Sequence, residues 1–218
     1  MSLLVNELFF SIQGESTYAG RPCAFVRLAG CNLRCSYCDT GYAQNTSPDS
    51  GRTMSIDEII REINRAGYPI VEITGGEPLF QEETPALARR LLAQGFAVLA
   101  ETNGSFDIRM IDNRCIRIVD MKCPESGMAH RMDRENIRRM EESDELKFVL
   151  CNRADYDYAK AIVLSEAGLI DGGRILFSPA AGQLDPATLS SWIIADRLDV
   201  RMQLQLHKIL WPDAKRGV

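Results

Sequence analysis

The chain has 218 residues, of which 45% are hydrophobic and 25% are charged, a composition typical of a globular protein with one sizeable core. Its 25 lysines and arginines stand against 30 acidic residues, and no basic run interleaved with aromatic residues indicates a nucleic-acid surface. The sequence shows neither a secretory signal nor an apolar stretch of about 18 residues. We therefore expect a single domain over residues 1–218 that is cytoplasmic and binds neither nucleic acid nor a membrane.

A cluster of three cysteines, Cys31, Cys35 and Cys38, lies early in the chain with the spacing Cys-x3-Cys-x2-Cys. Zinc ribbons use paired Cys-x2-Cys units, and neither histidine lies near enough in sequence to complete a zinc finger. Three thiolates on one tight loop suit an iron-sulfur cluster with one iron left open to a small molecule. The alternative is three reduced thiols, because the absence of a secretory signal fits a reducing compartment.

Beyond the cysteines, apolar segments of strand type alternate with helical patterns, which predicts parallel strands joined by helical crossovers. Ser55 and Glu58 form a capping box for a helix that ends at Gly67, and Thr84 and Pro85 mark the N-cap and first turn of a second helix. Later helices are predicted at 155–167 and 186–198, and strands at 24–28, 70–74, 96–100, 115–119, 146–150, 174–177 and 201–206.

Seven strands in a chain of this length are too few for a closed eightfold barrel, which typically needs about 250 residues. The sequence therefore predicts an α/β fold, an incomplete TIM-like barrel of parallel strands with an N-terminal β extension. Ligands of parallel sheets bind outside the C-terminal ends of the strands. The cysteine loop, Gly75-Gly76 and Asn103-Gly104 all follow predicted strands, so we expect them at one edge.

The cysteine spacing, with Tyr37 before the last cysteine, resembles the signature of the radical S-adenosylmethionine (SAM) enzymes, and Gly-Gly-Glu-Pro at residues 75–78 resembles a second motif of that family. The resemblance implies a 4Fe-4S cluster on the three cysteines, with SAM on the fourth iron. Reduction of SAM then gives methionine and a 5'-deoxyadenosyl radical. It also implies cofactor contacts from Tyr37, Cys38, Asp39, Gly76, Glu77, Asp120, Lys122, Phe177 and Ser178. The Glu77 carboxylate is expected at the amino group of SAM.

The resemblance is narrowed to one group of radical SAM enzymes by four segments, residues 10–16, 24–31, 38–40 and 205–208. Together they are similar to the radical SAM enzymes that convert 6-carboxy-5,6,7,8-tetrahydropterin into 7-carboxy-7-deazaguanine and ammonia, a lyase step towards the tRNA modification queuosine. This implies substrate contacts from Ile12, Gln13, Gly14, Arg27, Thr74 and His207. Arg27 offers a planar fork for a carboxylate, although an exposed strand charge is the alternative. For His207 the alternative is a buried, hydrogen-bonded histidine.

The same resemblance implies Mg²⁺ at Thr40, supported by Asp39 through water, together with a homodimer and a flavodoxin-type reductant. Two rival functions stay open. A glycyl-radical enzyme activase shares the cysteine loop and the glycine pair but needs no pterin pocket, and a non-catalytic metal-cluster binding module needs no SAM cleavage. Residues 211–218 extend beyond the pattern with no assigned role, and Asp120 stands where a smaller polar residue is expected.

Overall fold

A mixed sheet of nine strands carries the fold in this computed structural model, which describes the backbone of residues 1–218 and every side chain except that of Pro48. The strands are β1 Ser2–Ile12, β2 Pro22–Leu28, β3 Arg52–Ser55, β4 Ile70–Gly75, β5 Ala97–Thr102, β6 Ile116–Asp120, β7 Glu145–Leu150, β8 Ile175–Pro179 and β9 Arg201–Met202. The helices are α1 Ile56–Ala66, α2 Thr84–Ala93, α3 Asn136–Arg139, α4 Arg153–Ser165, α5 Pro186–Asp196 and α6 Leu206–Leu210. Among the described residues, no helix combines the length and the apolar character that crossing a membrane requires.

The strand order is β3-β1-β2-β4-β5-β6-β7-β8-β9. From β2 onward each neighbouring pair is parallel, whereas β1 runs antiparallel to both β2 and β3. The edge strands β3 and β9 do not pair with each other in the described chain, so the sheet stays open. The predicted α/β fold with parallel strands and an N-terminal β extension is confirmed.

Helix α1 shows how local sequence sets these elements. The Ser55 hydroxyl accepts from Glu58 N at 3.2 Å, and the Glu58 carboxylate accepts from Ser55 N at 2.7 Å, which is the predicted capping box. Gly67 ends the helix at φ +72°, a conformation that favours glycine. The buried face of α1, with Ile59 and Ile63, packs on the sheet.

Two predicted elements differ from the structure. Glu83, not Thr84, occupies the N-cap position of α2, because the Thr84 hydroxyl donates to the Pro78 carbonyl at 2.6 Å. The strand predicted at 201–206 ends at Met202. The chain then turns so that Leu206 N donates to the carbonyl of Gly14 at 2.9 Å, and α6 begins there.

The two faces of the parallel strands differ in chemistry. Side chains on one face, such as Val26, Ile73 and Val98, pack in the core with α1 and α2. Because side chains alternate along a strand, the intervening residues project to the opposite face. They include six polar residues: Arg27, Glu72, Thr74, Glu101, Asp120 and Lys147. Five of these six residues are charged, and Glu72, Thr74, Asp120 and Lys147 are buried, which identifies the opposite face as the place to look for function.

Candidate active site

A cavity of about 300 Å³ opens on that polar face at the C-terminal ends of the strands, a size suited to a small molecule. It gathers most of the residues that the sequence predicted for the site. These are Ile12, Gln13, Gly14, Arg27, Cys31, Cys35, Tyr37, Cys38, Asp39, Thr40, Thr74, Gly76, Asp120, Lys122 and His207.

Three predicted cofactor residues are not among the side chains that line the cavity. Phe177 is fully buried in the apolar cluster that β7 and β8 form with α4, edge-on to Phe148 and Tyr156. Ser178 is likewise fully buried. Glu77 is fully buried and accepts from Leu79 N at 2.9 Å, Thr102 Oγ1 at 2.8 Å and Asn103 N at 2.6 Å. Its carboxylate therefore braces β5 against the turn after β4.

The cysteine loop is anchored at both ends. Asn32 Nδ2 donates to Ser105 Oγ at 2.8 Å, and Ser36 N donates to the Ser126 carbonyl at 3.1 Å. Asn103 Nδ2 lies 3.8 Å from Cys31 Sγ. These contacts hold the three thiols against one cavity.

Burial raises the pKa of the Cys31 thiol, and it raises the pKa of Cys35 to about 11. Iron binds the thiolate, so loading this loop would release protons. No group of three His, Cys, Asp or Glu side chains among the described residues is arranged so that it could hold a metal ion. The assignment of a cluster therefore rests on the cysteine spacing and the shared cavity.

The glycine pair after β4 sits where no side chain fits. A Cβ on Gly76 would lie 2.4 Å from the Gly30 carbonyl oxygen and 2.9 Å from that of Ala43. Gly75 has φ +149°, and a Cβ there would lie 2.3 Å from the Leu28 carbonyl oxygen. The bare backbone of this turn thus packs directly against the residues that flank the cysteine loop, an approach that only glycine allows.

Lys147 is a buried cation on the polar face. It pairs with Glu15, with Glu101 at 2.8 Å and with Asp120 at 3.8 Å. Burial opposes its charge, but Glu101 and Glu15 outweigh burial and hold the pKa of Lys147 well above its usual range. For Glu15, burial is likewise outweighed by Lys147, which leaves the pKa of Glu15 lowered. The pair is therefore ionised at neutral pH.

Asp120 offers a hydrogen-bond acceptor to a ligand. Its Oδ2 accepts from Lys122 Nζ at 2.6 Å, whereas its buried Oδ1 has no partner among the described residues. A buried unpaired carboxylate oxygen is costly, and a hydroxyl or amine of a bound molecule would satisfy it. The cavity thus fits a cofactor that carries hydrogen-bond donors, as SAM does.

Two predicted substrate residues from the N-terminal part of the chain are held in place by hydrogen bonds. Gln13 Nε2 donates to Glu72, whose pKa is raised well above its usual value by burial and by the charge of Glu101. Arg27 Nε donates to Glu7 at 3.1 Å, and its guanidinium lies 5.4 Å from the centre of the Phe9 ring. The terminal nitrogens of Arg27 have no partner among the described residues and are available to a carboxylate.

The C-terminal part of the chain contributes a further wall of the cavity. Gly14 packs on His207, since a Cβ on Gly14 would lie 2.4 Å from His207 Nδ1. Lys208 pairs with Asp39 at 2.7 Å, and Gln205 donates to Glu15 at 2.8 Å. Val218 also lines the cavity.

Sequence reasoning missed Glu72 and Lys147 as site residues. Each is a charged residue between apolar neighbours in a buried strand, in Val71-Glu72-Ile73 and Leu146-Lys147-Phe148. Because charged residues are almost never fully buried unless paired, this pattern was the available signal.

Comparison with known proteins agrees with this geometry. Residues 26–117 match the family model described as the Radical SAM superfamily. The chain is 44% identical to 7-carboxy-7-deazaguanine synthase of Chlorobaculum tepidum, covering 99% of this chain and 97% of the relative. It is 40% identical to the synthase of Koribacter versatilis, covering 98% and 99%. The crystal structure of QueE from Escherichia coli is similar with a TM-score of 0.77 at 25% identity, covering 94% of each chain.

Proposed function

Because the chain belongs to the 7-carboxy-7-deazaguanine synthase family of radical SAM enzymes, we propose that it converts 6-carboxy-5,6,7,8-tetrahydropterin into 7-carboxy-7-deazaguanine with release of ammonia. The observation that carries the proposal is the cavity in which the cysteine loop, the glycine pair and the polar strand residues meet. The cavity has two parts, one for the cofactor and one for the substrate.

The cofactor part lies around the cysteine loop. The family implies a 4Fe-4S cluster and SAM; we assign the cluster to Cys31, Cys35 and Cys38. To the backbone of Gly76 and the unpaired oxygen of Asp120, which both line the cavity, we assign the acceptance of hydrogen bonds from SAM. When bound, cluster and SAM together supply the radical that abstracts hydrogen from the substrate.

The substrate part lies on the far side of the cavity. The terminal nitrogens of Arg27 bind the pterin carboxylate, and Gln13, held by Glu72, presents its amide to the flat edge of the ring. Thr74 and the backbone of Gly14 line the same wall, with His207 behind it. The charged pair of Lys147 and Glu15 keeps this wall polar.

Three further assignments follow from the family resemblance. Mg²⁺ is assigned to the Thr40 hydroxyl, with Asp39 in support through water, because magnesium takes few protein ligands and keeps several waters. The electron donor is a flavodoxin-type protein, and the enzyme is a homodimer. Turnover with and without added Mg²⁺ after chelation tests the first assignment, and light scattering tests the last.

The proposal is tested with anaerobically reconstituted protein, dithionite, SAM and Mg²⁺, with or without carboxytetrahydropterin. Mass spectrometry follows 7-carboxy-7-deazaguanine and 5'-deoxyadenosine. The wild type should form deazaguanine, and Arg27→Leu should form little because the carboxylate contact is lost. Cys35→Ala should form neither compound.

Other outcomes identify the rival functions. If 5'-deoxyadenosine accumulates without deazaguanine, the proposed substrate is wrong and an activase is favoured. If the protein binds iron but cleaves no SAM under any of these conditions, a non-catalytic cluster module is favoured.

A further inference from the structure

Glu72 places a carboxyl group on an apolar layer beneath the cavity. It lies on the polar face of β4, is 3% exposed and lines the cavity. Its register partners on the neighbouring strands are Phe25 in β2 and Leu99 in β5, which are buried in one apolar cluster. The same cluster contains Ile70, two residues earlier on the same face of β4. The carboxyl therefore rests on apolar side chains and opens towards the cavity.

The two oxygens of this carboxyl differ in their partners. Oε2 of Glu72 accepts from Nε2 of Gln13, whose own Oε1 accepts from Glu15 N at 2.9 Å. Oε1 of Glu72 has no hydrogen-bond partner among the described residues. A polar group held in a buried position without a partner costs free energy, so a ligand in the cavity gains affinity by bonding to this oxygen.

Glu72 is uncharged at neutral pH, because no cation is free to compensate its charge. Burial and the charge of Glu101 raise the pKa of Glu72 well above its usual value. The cations on this face pair with other groups, Lys147 with Glu15 and Glu101, and Arg27 with a carboxylate of β1. An uncharged carboxyl donates through its O–H as well as accepting, so the free oxygen can donate a hydrogen bond to a ligand.

The position of Glu72 relative to Arg27 sets which part of a ligand it meets. Arg27 lies beside Thr74 in the register of β2 and β4, and Thr74 is two residues further along the strand than Glu72. A rise of about 3.3 Å per residue separates two such positions by roughly 7 Å, a distance that a fused two-ring molecule spans. A pterin whose carboxylate meets Arg27 therefore directs atoms of its rings at Glu72.

From this arrangement we propose that the carboxyl of Glu72 recognises the pyrimidine ring of the pterin and donates from Oε1 to the ring carbonyl. The inference rests on the proposed function, which supplies the pterin. The ring amide presents an N–H beside that carbonyl, and Oε2 of Glu72 keeps a second lone pair that accepts from it. A neutral acid thus matches both groups of the amide, whereas an ionised carboxylate matches only the N–H.

The test measures the Kd of carboxytetrahydropterin by calorimetry, with reconstituted and unreduced protein that holds SAM and Mg²⁺. Glu72→Met removes the carboxyl, and Glu72→Gln is the matched control. Glutamine accepts from Gln13 through its oxygen and donates through its nitrogen, as a neutral acid does. Glu72→Met should bind the pterin about tenfold more weakly because a buried hydrogen bond is lost, and Glu72→Gln should stay within about twofold of the wild type.

Two further comparisons locate the contact. Tetrahydropterin without the carboxylate is the second probe: Glu72→Met should weaken the binding of both ligands by the same factor, whereas Arg27→Leu should weaken only that of the carboxylated one. The variant Gln13→Met tests whether Glu72 acts only through Gln13. Adding Glu72→Met to Gln13→Met should weaken binding about tenfold again, because the contact with the ring is a separate one.

Three results would overturn the proposal: wild-type affinity in Glu72→Met, equal weakening in Glu72→Gln and Glu72→Met, or no effect of Glu72→Met in the Gln13→Met background. The last result would mean that Glu72 only positions the Gln13 amide. Turnover decides the proposed function separately. Absence of deazaguanine from the wild type with dithionite would refute that function, whereas the Kd values of the Glu72 variants would still decide whether Glu72 contacts the ring.

Discussion

Lys147 is the residue on which the electrostatics of the cavity depend most. It is 3% exposed and pairs with Glu15, Glu101 and Asp120. Lys147→Met keeps the volume but leaves buried carboxylates without a counter-charge, which should cost about 3–5 kcal/mol of unfolding free energy. Denaturant unfolding measures this loss.

Lys160→Met is the matched control, because Lys160 pairs with Asp196 at 2.8 Å near the surface. The control should change the midpoint little, since exposed ion pairs contribute little. Equal losses in the two variants would show that the Lys147 pairs add no more than a surface pair does.

Gly76 is expected to be irreplaceable for steric reasons. Gly76→Ala would place a methyl group 2.4 Å from the Gly30 carbonyl oxygen, which forces the glycine turn away from the cysteine loop. Overpacking of this kind costs about 1–3 kcal/mol. Because the displaced turn has to return before it can contact SAM, we predict that SAM binds about five- to 150-fold more weakly. Calorimetry with the reconstituted protein measures it. Gly41→Ala, where a Cβ meets nothing within 4 Å, should bind SAM like the wild type, and equal weakening in both variants would contradict the account.

His207 should make stability depend on pH. Burial lowers its pKa below the usual value of 6.5, although Glu15 and Asp39 oppose this. The unfolded chain then binds the proton more readily, so this contribution to stability is present above the unfolded pKa and is lost as pH falls through the folded pKa. Unfolding midpoints between about pH 5.5 and 7.5 should fall on acidification less steeply in His207→Gln than in the wild type. The control His130→Gln changes a residue in an exposed 3-10 turn and should keep the wild-type slope of unfolding midpoint against pH. If His207→Gln also keeps the wild-type slope, His207 does not cause the pH dependence.

Among individual residues, the sequence predicts those that belong to short local motifs. It misses those whose role depends on contacts between strands. The cysteines, Gly76 and Arg27 stand in short recognisable segments, and the cavity contains all of them. The orientation of the Glu77 carboxylate depends on donors from β5, 25 residues away in the case of Thr102. Such a contact between strands has no local signature.

At the scale of elements, one buried ion pair ties β6 to the start of β7. Asp144, just before β7, accepts from the backbone N and from Nε of Arg117 in β6, both at 2.9 Å. Both side chains are nearly fully buried. Asp144→Ala leaves the Arg117 charge uncompensated and should destabilise the fold by about 3–5 kcal/mol, measured by denaturant unfolding.

Asp112→Ala is the control for this prediction, because Asp112 also pairs with an arginine, Arg114, but that arginine is exposed. The control should lose much less stability. If the two variants lose the same amount, burial of the Arg117 pair does not matter to the stability of β6 and β7.

The strands were predictable because each is a short apolar run between turn signals, and their order follows from the rule that consecutive parallel strands are neighbours. The end of the chain was not predictable in this way. Met202, Leu204 and Leu206 alternate like a strand, yet Leu206 N bonds to Gly14 and Gln205 bonds to Glu15. These contacts join residues nearly the whole chain apart and override the local pattern.

At the scale of the whole molecule, the fold brings both chain ends to one site. Residues 12–15 and 205–208 meet across the cavity, and the tail returns so that Arg216 lies 4.2 Å from the centre of the Tyr42 ring, with Val218 at the cavity wall. The open sheet supplies the third side through Arg27, Glu101 and Lys147. A pocket built from all parts of the chain explains why the full-length relatives, and not the cysteine motif alone, specify the substrate.

The central claim is that this cavity contracts the pterin ring, and the most direct measurement is the mass balance of one anaerobic reaction. Reconstituted protein, dithionite, SAM, Mg²⁺ and carboxytetrahydropterin are incubated together, and pterin, deazaguanine and ammonia are quantified. We predict that deazaguanine and ammonia appear in equal amounts, matching the pterin consumed, and only when SAM and reductant are both present. Cleavage of SAM with the pterin left intact would contradict the account.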